Sequence, residues 1–333
     1  MFNRAPEPLT PYFHPTTACF IDDNESFLAG LELMLPQHMN SVSFFDPVAA
    51  LAHINQPHST PALADRCFSH HESQHQSIFS LDIDLIEQEI NLPERFNRIS
   101  VVVVDYSMPT LSGLELCKQI KDPHIGRVLL TGVADEKTAV EAFNAGIIDR
   151  FISKSHALAS ERISEYSASM QQAYFRSQSQ QLQSTLGLSA PTFLNSTRVA
   201  EFVRRIMHKR KFCEYYLANS PPGLLLVRPN GQMQQLLVLT SQQIAAQADL
   251  AKHYDAPKSV QRKLARASHI GFFLESPESY AQDDVFPWTQ LLRRAVRIED
   301  GGQTWYAALV KQPPMDIDYD PDKVSLESFQ AAR

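Results

Sequence analysis

The chain has 333 residues, 44% hydrophobic and 20% charged, which supplies packed cores, excludes a wholly disordered protein and is too long for one ordinary core, so about two domains are expected. No apolar run approaches the ~18 residues of a membrane helix, and residues 1–6 lack a secretory apolar stretch, so a cytoplasmic protein with no membrane partner is expected. The net charge of −7 hides an asymmetry: residues 1–154 carry 20 acids against 10 cations, residues 155–312 carry 12 against 18, and a basic surface this modest does not favour nucleic acid as a partner.

Residues 17–21 read as a short buried strand running into Asp22, Asp23 and Asn24. Phe27, Leu28, Leu31, Met34 and Leu35 then recur at helical spacing between an Asn24 N-cap and Pro36. A second strand over 41–45 and a helix over 46–54 follow. The stretch 56–98 opens with Pro57 and Pro61 and holds Cys67, His70, His71 and His75, whose spacing fits no named zinc motif. It ends in a short acidic helix over 81–90. Residues 99–104 form a β-branched run suited to a parallel strand buried on both faces, and this strand ends in Asp105. Leu114, Leu116, Cys117 and Ile120 predict a helix, 127–130 a strand ending in Thr131, 139–143 a helix stopped at Gly146, and Phe151-Ile-Ser-Lys154 a fifth strand.

Alternating strands and helices imply a doubly wound parallel sheet, whose ligands bind beyond the carboxyl ends of the strands. Asp22, Asp23, Asp105, Thr131 and Lys154 all fall at that edge. Clustered carboxylates suit Mg²⁺, which prefers hard oxygen ligands. A carboxylate such as that of Asp105 accepts a phosphoryl group, with the Lys154 ammonium and the Thr131 hydroxyl on the phosphoryl oxygens.

Through Asp22-Asp23, the run from Asp105 to Gly113 (DYSMPTLSG), Thr131-Gly132 and Phe151-Ile-Ser-Lys154, the sequence resembles response-regulator receiver domains. The resemblance implies a CheY-like, flavodoxin-like five-stranded sheet over residues 16–155, with 56–98 as an insertion and 1–15 as an N-terminal extension. It further implies that Asp105 is the phosphoacceptor and that Asp22, Asp23, Asp105 and the Ser107 backbone carbonyl are the Mg²⁺ ligands. Thr131 and Lys154 become the switch hydroxyl and lysine, Phe151 the aromatic switch residue, and a sensor histidine kinase the phosphodonor.

Between 156 and 190 a long linker helix is expected, of the kind that joins two receiver copies in a homodimer. A helix over 196–213 carries Arg204, Arg205, Lys209, Arg210 and Lys211, a candidate nucleic-acid or anion contact whose alternative is an ordinary solvated face. Strands over 214–240 break at 219–223 and at Pro229-Asn-Gly231. Helices over 240–253 and 257–267, then strands over 271–274, 295–298 and 303–310, complete an α+β output domain over 191–312. It holds no catalytic signature, so no enzyme is expected, and 313–333 reads as an acidic, poorly ordered tail. The architecture resembles the Lqs-type quorum-sensing response regulators. That likeness implies a cytoplasmic dimerising regulator downstream of sensor kinases. The expected output is phosphorylation-controlled dimerisation and contact with a downstream protein, with nucleic-acid, nucleotide or small-ligand binding as the alternatives.

Overall fold

A computed structural model describes residues 7–36, 39–73, 76–132, 135–185, 191–273, 286–311 and 319–333. The chain forms two compact units, each assembled from separated segments. One comprises Met1–Phe13, Arg66–Leu92 and Leu186–Ser328, the other His14–Asp65, Pro93–Thr185 and Phe329–Arg333. The domains therefore do not follow one another along the chain as the sequence suggested. The N-terminal extension and most of the insertion belong with the output strands, and the last five residues belong with the receiver strands.

The first strand, β1 (Tyr12–Phe13), pairs antiparallel with residues 215–216 and belongs to the output unit. The receiver unit begins with β2 (Thr17–Ile21), α1 (Glu25–Met34), β3 (Asn40–Phe44) and α2 (Pro47–Ile54). The insertion then supplies α3 (Leu63–Arg66), a hairpin of β4 (Phe68–Ser73) and β5 (Gln76–Leu81), and α4 (Ile83–Gln88). The receiver resumes with β6 (Ile99–Asp105), α5 (Gly113–Gln119), β7 (Gly126–Thr131), α6 (Glu136–Asn144), β8 (Arg150–Ser153) and α7 (Ala159–Thr185). Its five strands run parallel in the order β3-β2-β6-β7-β8. Every residue of β2 and β6 is buried, because helices cover both faces of a parallel sheet. Alternate residues Ala18, Phe20, Val101, Val103, Val128 and Leu130 meet Leu28, Leu31, Ile163 and Met170 in one core.

The long helix α7 is the fifth helix of this sheet rather than a free linker. It lies against β6, β7 and β8. Ile163, Ser167, Met170, Gln171, Tyr174, Phe175 and Gln178 are buried, so much of one face of this helix is covered. His14 packs edge-on to Phe96 and Phe175, and Phe329 from the C-terminal residues lies 5.3 Å from Phe96.

In the output unit α8 (Thr197–Arg210) leads to β9 (Glu214–Asn219), β10 (Pro222–Val227), β11 (Met233–Thr240), α9 (Ser241–His253), α10 (Lys258–Ala265) and β12 (His269–Gly271). After it come α11 (Trp288–Leu291), β13 (Leu292–Arg294), β14 (Val296–Asp300) and β15 (Gln303–Val310). The main sheet is antiparallel, in the order β1-β9-β10-β11-β15-β14. Helix α4 of the insertion packs on β9, and the Asn219 N–H donates to Glu87 at 3.0 Å. Trp288, Trp305 and Phe272 are core residues. Of the tail expected to be poorly ordered, residues 313–318 lie outside the described residues, and the remainder forms α12 (Pro321–Val324) and α13 (Leu326–Ala331), with Val324 and Leu326 buried. Among the described residues no helix is long and apolar enough to cross a membrane.

Candidate functional site

The carboxyl ends of β2, β6, β7 and β8 converge on one acidic and basic cluster. Asp22 follows β2 directly. Its N–H donates to the Phe44 carbonyl at 3.2 Å and its Oδ1 accepts the Asn24 N–H at 3.0 Å. The Asn24 side chain in turn accepts the Phe27 N–H at 3.1 Å, capping α1, so the acidic pair is anchored by the start of the helix behind it. Asp105 is the last residue of β6, in register with Leu130 of β7. Behind it, a Ser112–Glu115 capping box starts α5.

Ligand oxygens of Asp22, Asp23 and Asp105 lie within 4.8 Å of one another. Asp22 is fully buried, Asp105 is nearly so, and Asp23 is exposed. Lys154 enters from the end of β8. Its N–H donates to the Thr131 carbonyl at 2.9 Å, and its Nζ stands 2.6 Å from Asp22 Oδ2 and 2.9 Å from Asp105 Oδ1. Thr131 is buried, with its hydroxyl donating to the Ile152 carbonyl at 3.5 Å. Phe151 is half-buried on β8, opposite Leu129, and Ser107 is exposed two residues beyond Asp105.

Burial raises the Asp105 carboxyl above the ordinary carboxylate range; the Lys154 hydrogen bond and charge oppose this, while Asp22 and Asp23 add to it. Burial also disfavours the charge on Lys154, but the hydrogen bonds it donates to the Asp22 and Asp105 carboxylates, with their negative charges, outweigh this and hold the ammonium above its ordinary value. Three hard anionic oxygen donors beside one compensating ammonium fit Mg²⁺, and the residues that would hold it are Asp22, Asp23 and Asp105.

The other sequence candidates do not gather at this edge. Arg204 donates to the Glu7 carbonyl at 2.6 Å and to the Pro8 carbonyl at 3.4 Å, and so ties down the N-terminal segment. Arg205, Lys209, Arg210 and Lys211 are exposed along the end of α8, where Lys211 ends the helix with a φ of 57° and the Arg210 carbonyl accepts from Arg228. Two residues gain a contact at the site that the sequence did not assign them. Gly113 closes the DYSMPTLSG run because its backbone presses on that of Asp105, and the Phe27 ring lies 4.8 Å from the Lys154 Nζ. The first had a signal, a glycine at a helix start; the second had none.

Residues 82–163 match the response regulator receiver domain family. Over 97% of this chain and 95% of the other, the fold is similar to that of the Legionella pneumophila response regulator LqsR, at 29% identity and a TM-score of 0.77. An adenylate cyclase from Rhodopirellula baltica (22% identity, 50% of this chain and 96% of that one, TM-score 0.36) is more distantly similar. So is a receiver domain protein from Clostridium thermocellum (18% identity, 49% and 96%, TM-score 0.31). No curated protein matches the chain significantly. With its acidic cluster and lysine at the carboxyl edge of a five-stranded parallel sheet, the chain carries a response-regulator receiver domain within an architecture similar to that of LqsR throughout.

Proposed function

We propose that the protein is the acceptor of a two-component phosphorelay. In this reading an Asp105 carboxylate oxygen attacks the phosphorus of a phosphohistidine on a sensor kinase. The P–N bond breaks as the aspartyl P–O bond forms, and the imidazole nitrogen takes up a proton. Asp22, Asp23, Asp105 and the Ser107 carbonyl hold Mg²⁺, which when bound neutralises phosphoryl charge. Lys154 and Thr131 bind phosphoryl oxygens, and Phe151 follows the resulting shift of the β7–β8 edge. The observation that carries the reading is the pairing of the partly exposed Lys154 with both Asp22 and Asp105, the arrangement that orders a cation beside a carboxylate due to gain negative charge.

Phosphorylation then biases an equilibrium between association states, with a homodimer and a downstream protein as the readers; no catalytic activity is assigned to the output unit. A quorum-sensing context follows from the whole-chain resemblance alone. The test is intact mass and light scattering with acetyl phosphate and Mg²⁺, on wild type and Asp105→Asn. A phosphoryl adduct and a change of association in wild type only are expected. An adduct retained in Asp105→Asn, or none in wild type, overturns the assignment of the acceptor.

A further inference from the structure

Phe27 has no part in the proposed phosphoryl transfer, yet it completes a closed circuit at the sheet edge. Asp22 Oδ1 accepts the Asn24 N–H, the Asn24 side chain accepts the Phe27 N–H, the Phe27 ring faces the Lys154 Nζ at 4.8 Å, and that Nζ returns to Asp22 Oδ2 at 2.6 Å. The ring cannot drift easily, since it is half-buried and packs against the core of Leu28, Leu31 and the central strands.

Lys154 needs such a wall. Its side chain is 26% exposed, and a lysine stem of four carbons has many rotamers open to water. The two carboxylates that fix its ammonium are also those with competing work, Asp22 as a metal ligand and Asp105 as the acceptor. The ring face attracts a cation through its quadrupole and uses no carboxylate lone pair.

We propose that Phe27 is a positioning residue for phosphoryl acceptance, its ring holding the Lys154 ammonium between Asp22 and Asp105 while those carboxylates are engaged elsewhere. The proposal rests on Asp105 being the phosphoacceptor. It separates aromatic character from mere bulk: leucine fills much of the same space without a quadrupole, and tyrosine keeps the ring.

Two measurements on the full chain test it. By NMR, the Lys154 ε-methylene protons, identified by their loss in Lys154→Met, resonate upfield under the ring current in wild type and Phe27→Tyr. They return toward the ordinary lysine position in Phe27→Leu. In phosphorylation by acetyl phosphate with Mg²⁺, Phe27→Leu is slower by about fivefold and Phe27→Tyr stays within about twofold of wild type. An unchanged Lys154 resonance in Phe27→Leu, or equal rates for the leucine and tyrosine variants, overturns the proposal. Should Phe27→Leu fail to fold, Phe27→Met carries the same comparison. If wild type gains no phosphoryl group, the acceptor reading fails, while the resonance still decides whether Phe27 holds Lys154.

Discussion

Gly113 stands so close to Asp105 that a Cβ on it would lie 2.2 Å from the Asp105 carbonyl oxygen and 3.0 Å from a Leu129 methyl. The start of α5 thus lies directly on the backbone of Asp105, which cannot swing aside as the tip of a side chain can. Gly113→Ala pushes α5 and β6 apart at a cost of about 1–3 kcal/mol. Gly30, inside α1 with nothing within 4 Å of its would-be Cβ, is the control. There alanine is neutral or stabilises by up to about 1 kcal/mol. Thermal melts of the two variants should move in opposite directions, or the first alone should fall.

His14 sets a pH dependence. Burial pushes its imidazole down to about 3; the Pro15 carbonyl opposes this, and Arg95 and Arg98 add to it. Unfolded, the ring titrates at its ordinary value of 6.5. Between those values the unfolded chain binds the extra proton. Stability due to His14 is therefore complete above pH 6.5 and falls by up to about 1.4 kcal/mol per unit as pH drops toward 3. Urea midpoints at pH 7 and pH 5 should differ less in His14→Leu than in wild type; equal differences would remove the assignment.

The C-terminal residues stabilise the receiver unit. Phe329 packs tilted against Phe96, ring centroids 5.3 Å apart, Arg333 lies over Phe329, and the Gln330 amide donates to Asn40 Oδ1 at 2.9 Å. Phe329→Ala should cost about 1 kcal/mol. Hydrogen exchange should quicken in β6 and β3, the neighbours of Phe96 and Asn40, and a chain ending at Ser328 should show the same pattern.

Arg204 and Arg205, adjacent and both basic, should separate cleanly. Arg204→Ala loses a charge-assisted bond to the Glu7 carbonyl and costs about 1 kcal/mol, with faster proteolysis near residues 7–13. Arg205→Ala, on the exposed side of α8, stays within about 0.5 kcal/mol of wild type. Equal destabilisation of the two would contradict the anchoring role of Arg204.

The receiver was legible because four of its five strands, β2, β6, β7 and β8, lead into a residue with site chemistry, and because local periodicity marks the elements between. Asn24, Asp46 and Ser112 cap the helices that follow them. What stayed hidden depends on distant partners. A two-residue strand such as β1 has no alternation to read, and its neighbour Thr10 meets the Tyr215 hydroxyl across 205 positions. Nothing in the spacing of 56–98 marks the hairpin of β4 and β5; residues 70 and 71 lie on its first strand, and His75 lies outside the described residues. In α7 the buried stripe contains Ser167, Gln171 and Gln178, and polar residues inside a unit disguise an apolar face. Gln171 is accommodated because its amide donates to the Thr16 carbonyl at 3.0 Å.

The interleaving of the two units constrains how the chain can be born. On the ribosome the β4–β5 hairpin and α4 emerge well over a hundred residues ahead of β9, on which α4 packs, and β14 emerges before β15, the strand that joins it to β11. The receiver sheet is complete after β8, yet Phe96 must wait for Phe329. A nascent chain can therefore fold the edge that carries Asp22, Asp105 and Lys154 early while carrying an unsatisfied loop and an open aromatic face. A gene fragment cut at either apparent domain border would inherit that unfinished state permanently.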